Sequence, residues 1–310
     1  MDTLIELFKA LLFGAVEGIT EWLPVSSTGH IILLNGFVKF DIPGTAAEQA
    51  AFMEFFDVAI QLGAILAVVI LFFKQIWPFG IEDRDAEVKL KVGDLESHVI
   101  RICGPLIIKK DILFLWIKIA VACLPGFAYG VLLDDMVETL TGPYKTIIVA
   151  VMLILVGILF IIVESVKKNE RPRVRKISDI SYLMVIVTGV AQVIAGVLPG
   201  TSRSGAMIIA GLLMGLSRTV AAEFTFFLAI PTMFGASLLK LIKFLKNGMT
   251  FSGMEIAVLS VSSIVAFAVS LLALNFLMGY VKKHDFKVFG WYRIVLGLAV
   301  LGLVLGGVLR

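Results

Sequence analysis

At 310 residues the chain is long enough for two soluble domains, but 59% of it is hydrophobic, only 16% is charged, and the net charge is +3. With a mean hydropathy of +1.00, so few charges cannot furnish a soluble surface. That excludes the pair of soluble domains and leaves an all-α polytopic membrane protein. Its two cysteines, Cys103 and Cys123, have neither metal-ligand spacing nor the numbers for a disulfide framework. They read as packing residues.

The N-terminal stretch lacks the basic start and small-residue cleavage site of a signal peptide and is expected to belong to the fold. The first apolar region, 4–38, is interrupted by Pro24-Val-Ser-Ser-Thr-Gly-His30. A full span follows at 56–77, then a mixed-charge cytoplasmic or interfacial loop over 78–110, then spans at 111–133 and 146–164. The second interrupted region, 181–216, carries Pro199-Gly-Thr-Ser-Arg-Ser-Gly205. Spans at 220–240, 254–280 and 289–309 complete the chain. About twenty apolar residues cross a hydrocarbon core of about 30 Å. A helix broken at that depth survives only where protein or a water-filled cavity satisfies its backbone. Both interrupted regions therefore read as re-entrant hairpins of two half-helices.

The two regions also resemble each other. An offset of 175 carries Gly14 onto Gly189, Glu17 onto Gln192, Leu23-Pro24 onto Leu198-Pro199 and Ser27 onto Ser202. A fainter echo pairs Phe56 and Ala59-Ile60 with Phe226 and Ala229-Ile230. Three spans lie between the hairpins, and an odd number inverts the second copy. The expected architecture is one integral membrane domain over 1–310. Repeat 1 covers about 1–133, repeat 2 about 146–280 and a final span 289–309, with the hairpins meeting at the midplane. Loops 74–110, 165–178 and 281–288 hold seven, six and three Lys/Arg, whereas loops 39–55, 134–145 and 241–253 hold one, one and two. The positive-inside rule assigns the first group to the cytoplasm and both chain ends to the outside.

Glu17 and Glu21 are four residues apart on a helical stretch, so both carboxylates point from one face. Carboxylates inside a span need a reason, because each costs roughly 3 kcal/mol on insertion scales. The pair suits a divalent cation held against phosphate oxygens, or proton transfer. A helix lying at the interface with its acidic face in water is the plainer account. His30, beside Ser26 and Ser27, is either a structural donor or the base for a serine nucleophile. Arg203 is always charged and fits phosphate oxygens bidentately. The half-helices that follow both loops present free N–H groups that favour anions. Arg218, Glu223, Lys118 and Asp57 read as span-end or mutually paired groups, and Gln61 as a helix–helix hydrogen-bond donor.

The run Glu17-Gly-Ile-Thr-Glu21-Trp-Leu-Pro-Val-Ser-Ser-Thr-Gly-His30, with Leu198-Pro-Gly-Thr-Ser-Arg-Ser-Gly205 downstream, resembles the undecaprenyl-diphosphate phosphatase family of the bacitracin-resistance type. The resemblance covers essentially the whole chain. It implies hydrolysis of undecaprenyl pyrophosphate to the monophosphate and phosphate, recycling the lipid carrier of cell-wall synthesis, at a site in the cell membrane that opens extracytoplasmically. The catalytic set it implies is Ser27 as nucleophile, His30 as base, Glu21 and Arg203. Glu17, Ser26, Thr28, Gly200, Thr201, Ser202 and Ser204 are expected to contact substrate. Glu17 and Glu21 are the expected ligands of Mg2+ or Ca2+. The expected partners are the polyprenyl pyrophosphate lipid and the bilayer, with no nucleic acid, and a homodimer is the assembly to consider. Met207 departs from the threonine usual in the family, and the 78–110 loop is longer than its members require. A lipid-phosphate flippase or secondary transporter of an anion is the alternative, since broken helices and inverted repeats serve transport too.

Overall fold

The computed structural model describes residues 3–42, 44–81, 91–92, 95–96, 99–103, 106–246 and 250–309. Its elements run α1 (Thr3–Thr20), α2 (Ser27–Phe37), α3 (Ala46–Leu71), α4 (Phe73–Ile76), five short strands, α5 (Lys110–Leu132) and α6 (Asp134–Thr141). They continue with α7 (Lys145–Val166), α8 (Tyr182–Val197), α9 (Arg203–Leu213), α10 (Arg218–Lys246), α11 (Gly253–Val281) and α12 (Lys287–Leu305). Six of these, α3, α5, α7, α10, α11 and α12, are long and apolar enough to cross a membrane. Their outward faces carry exposed apolar side chains such as Leu66, Leu155, Leu272 and Leu298. That surface would be insoluble in water and suits lipid. The chain is a multi-pass helical membrane protein.

Local chemistry sets the helix ends. Thr45 and Glu48 form a reciprocal capping box that starts α3, and Ser252 and Glu255 do the same for α11. The Thr45 box begins the first span at Ala46, ten residues before the expected 56, so Asp57 lies inside the helix and not at its end. The expected loop 134–145 contains the short helix α6. The expected loop 78–110 is not extended chain either. Among its described residues β1 (Phe79–Ile81) pairs with β5 (Leu106–Lys109), which pairs with β4 (Val99–Cys103), all antiparallel. A two-residue pair, β2 (Lys91–Val92) with β3 (Leu95–Glu96), accompanies them. The all-α polytopic expectation fits the chain, with these short antiparallel strands between α4 and α5 as its one unexpected addition.

Neighbours in space are not always neighbours in sequence. α1 packs along α11, α8 along α5, α7 along α12, and α3 against both α10 and α11. Two glycines permit the first two pairings. A Cβ on Gly14 would lie 2.3 Å from the Ser262 carbonyl oxygen, and one on Gly189 would lie 2.4 Å from that of Ala122. Both broken pairs, α1–α2 and α8–α9, also return to where they start. Glu6 accepts from the Asp41 N–H at 3.1 Å and Lys9 donates to the Lys39 carbonyl at 2.7 Å. On the other pair the N–H groups of Arg173 and Val174 both donate to the Gly215 carbonyl, at 2.8 and 3.1 Å.

Candidate active site

The breaks between α1 and α2 and between α8 and α9 are built alike. Ser26 (φ 72°) caps α2 and accepts from the Gly29 N–H, while Ser202 (φ 69°) caps α9 and accepts from the Gly205 N–H. Among the described residues they are the two non-glycines with positive φ, a conformation seldom held without support from the surroundings. The matching residues are therefore Ser26 and Ser202, an offset of 176. The expected match of Ser27 with Ser202 is corrected by one residue, because the second loop has one more residue between its proline and its capping serine, Pro199 to Ser202 against Pro24 to Ser26. Ser27 corresponds to Arg203.

These two residues meet on one carboxylate. Ser27 Oγ donates to Glu21 Oε2 at 2.8 Å, and Arg203 Nη2 donates to Glu21 Oε1 at 2.5 Å. Arg203 Nη1 also reaches Thr232 Oγ1 at 3.3 Å. Thr232 follows Pro231, which lacks an N–H for the α10 ladder, and its hydroxyl turns back onto the Leu228 and Ala229 carbonyls. Ser204 Oγ donates to the Glu21 carbonyl at 3.4 Å and lies 3.1 Å from Ser202 Oγ. Glu21 is buried, and Glu17, one turn earlier, is more so. Glu17 Oε1 has no hydrogen-bond partner, while Glu21, Asp57 and Arg203 are all within electrostatic reach of that carboxyl.

Among the described residues no hydrogen bond joins His30 to Ser27. Its Nδ1 lies 2.8 Å from the Ser26 carbonyl and its Nε2 lies 2.7 Å from the Tyr292 hydroxyl, the two rings being stacked. A carbonyl can only accept, so Nδ1 carries the proton and Nε2 is the accepting nitrogen. Thr28 is half-buried in the first turn of α2, and Thr201 Oγ1 donates to the Leu198 carbonyl at 2.6 Å.

The residue that sequence reasoning missed is Arg293 on α12. Its side chain is fully buried, with Nη1 donating to the Pro24 carbonyl at 3.2 Å and Nη2 to those of Gly200 and Thr201 at 2.9 Å each. One guanidinium ties both loops together. Asp57 was also underrated, since its Oδ1 is buried without a partner within electrostatic reach of Glu17. Lys118 and Arg218 take the plainer role. Lys118 donates to the Ser178 carbonyl, and Arg218 grips Glu164 through two nitrogens. Met207 is buried in the main apolar core.

Three chemical capacities follow. A fixed cation beside a serine hydroxyl and two helix N-termini can receive a tetrahedral anion. A carboxylate accepting from that hydroxyl can take its proton. Among the described residues no group of three His, Cys, Asp or Glu could hold a metal by itself. Glu17 and Glu21 are a two-carboxylate set of the sort that binds Mg2+ together with substrate phosphates, and the unpartnered Glu17 oxygen fits that use.

Comparison with known proteins places nearly the whole chain beside named relatives. A family model described as Bacitracin resistance protein BacA matches residues 10–299. A protein of Desulfitobacterium hafniense named undecaprenyl-diphosphatase is 52% identical over 298 residues, covering 96% of each chain. One of the same name from Enterococcus faecalis is 47% identical over 296 residues, again 96% of each. Another, from Streptococcus thermophilus, is 44% identical over 298 residues, 96% of this chain and 93% of its own.

Proposed function

Because the chain belongs to the bacitracin resistance protein BacA family, we propose that it hydrolyses undecaprenyl pyrophosphate to undecaprenyl phosphate and inorganic phosphate, so recycling the lipid carrier of cell-wall polymers and resisting bacitracin. The observation that carries the chemistry is Glu21 shared between Ser27 and Arg203. Ser27 Oγ attacks the terminal phosphorus. A bond forms from Oγ to phosphorus, the bond to the bridging oxygen breaks, and undecaprenyl phosphate departs. The serine proton passes to Glu21, its observed acceptor, and His30 Nε2 is the second base within the site, available when the Tyr292 hydroxyl turns away. Arg203 transfers from Glu21 to the phosphoryl oxygens, where the first turns of α2 and α9 also stabilise developing charge. Water then cleaves the phosphoserine and returns the proton.

Ser26, Thr28, Gly200, Thr201, Ser202 and Ser204 shape the cradle around those oxygens. A divalent cation, Mg2+ or Ca2+, would be held by Glu17 and Glu21 and would neutralise pyrophosphate charge. The α1–α2 and α8–α9 pairs are read as re-entrant hairpins of an inverted repeat. Their matched caps support this, as does the reciprocal packing of α1 on α11 and α8 on α5. The lopsided loop charge supports a site in the cell membrane opening away from the cytoplasm.

The test is phosphate release by purified protein from a C55 pyrophosphate in detergent, with the Ser27→Ala variant and with a chelator. Turnover should be lost in the variant while pyrophosphate lipid still binds, and lost on chelation until Mg2+ or Ca2+ is restored. Near-normal turnover in Ser27→Ala would replace the covalent route by direct attack of water. Binding without any phosphate release by the unaltered protein would favour a carrier of the same anion.

A further inference from the structure

At the far end of α9 from the reaction centre lies a cavity of about 320 Å³, bounded by the 167–173 segment, the α9–α10 turn and the end of α11. Leu212 borders it and Arg203 serves the reaction, roughly 14 Å apart at 1.5 Å per residue along the helix. Its two carboxylates are already taken. Glu164 is buried, held by Arg218 and by the Phe286 N–H, and Glu170 is paired with Lys167 at 2.6 Å. Lys168, Arg171, Arg173 and Lys282 also line it, and among the described residues none of the four has a carboxylate within ion-pairing distance.

The wall is built, not merely charged. The N–H groups of Arg173 and Val174 share the Gly215 carbonyl, and the Ser217 N–H donates back to the Val174 carbonyl at 2.9 Å. Gly215 has φ +92°, and a Cβ there would meet the Arg173 stem at 3.2 Å. The stem of Arg173 is therefore laid across a glycine that leaves room for it. The opening turn of α10, through Ser217, Arg218 and Thr219, faces the same space and adds the dipole of a long helix. A bias of loop charge explains the sign of this surface, but not a concavity with four uncompensated cations and an ordered floor.

We propose that this cavity is a second anion site, independent of the reaction centre, that takes a phosphate group bearing net negative charge, whether on an anionic phospholipid headgroup at the membrane surface or as free phosphate. The volume suits one phosphate with its nearest substituents, and guanidinium groups favour that geometry. At the bilayer edge such a site would clamp the α7–α8 connection to the α9–α10 turn.

The test uses the full chain in an uncharged detergent, with fluorescent phosphatidylglycerol as the probe and phosphatidylcholine as its comparison. Phosphatidylglycerol should bind saturably, and the triple change Lys168→Gln, Arg171→Gln, Arg173→Gln should weaken it at least tenfold. All three side chains are exposed, so the variant should keep its phosphate release and thereby report its own folding. Arg203→Lys should leave the binding unchanged. Competition by millimolar inorganic phosphate identifies the free anion as sufficient, and its absence identifies the headgroup on its lipid. Equal binding of phosphatidylcholine, undiminished binding in the triple variant, or loss of binding in Arg203→Lys would overturn the proposal.

Discussion

Glu21 accepts from a serine hydroxyl and a guanidinium at once, so neither partner can move without changing the other. This is why Arg203→Lys is informative. An ammonium supplies charge, but not the planar fork that spans Glu21 and Thr232. We expect phosphate release to fall roughly 100-fold, the scale of losing one preorganised donor to a developing oxyanion. Full activity would make Arg203 peripheral. Arg203 and the glutamates were legible in the sequence because charge inside an apolar stretch is conspicuous. Arg293 carried the same signal, a charge inside the 289–309 span, but with no loop or repeated motif around it nothing tied it to the site. Its partners are three carbonyls that only folding brings together. Arg293→Met should strand those carbonyls at a cost of about 3 kcal/mol or more. Turnover should drop even where the variant still folds, measured by thermal unfolding beside kcat. Unchanged kcat in a folded Arg293→Met would show that the loops hold their positions unaided.

At the scale of elements, the duplicated motif predicted two matching breaks, and matching caps at Ser26 and Ser202 are what the structure has. The one-residue slip in register was invisible, since Pro24 and Pro199 still match at the original offset. Only backbone geometry shows that the second loop takes one more residue to reach its capping serine. The small sheet in 79–109 was missed despite a signal, two β-branched runs around Gly104-Pro105. Mixed charge nearby favoured reading the whole segment as a loop. The glycine match proved more than a coincidence of letters. Gly14 and Gly189 each let a helix touch a carbonyl of its neighbour. Gly14→Ala and Gly189→Ala should each force that pair apart, costing about 1–3 kcal/mol as overpacking does. The two losses of thermal stability should be alike if the contacts are equivalent. A neutral Gly189→Ala beside a damaging Gly14→Ala would mean that the resemblance is local.

At the scale of the whole molecule, composition alone led to a multi-pass helical protein, because a chain this apolar has few other ways to satisfy its backbone. The direction in which it faces rests on loop charge and on the path of the chain. The 39–42 stretch returns to the start of α1, and the 173–174 stretch meets the turn after α9. If the first pair opens outward, three spans place the second pair's ends in the cytoplasm. Single cysteines at Thr139, between α5 and α7, and at Arg175, before α8, test this in a background with Cys103 and Cys123 replaced by serine. Both positions are exposed, so accessibility depends on the side of the membrane. In intact cells an impermeant maleimide should label Thr139→Cys and should reach Arg175→Cys only after permeabilisation. The reverse pattern would keep the inverted repeat but turn the reaction centre toward the cytoplasm. Labelling of both in intact cells would break the odd-span argument, and with it the view that Ser27 and Arg203 approach Glu21 from opposite halves of the bilayer.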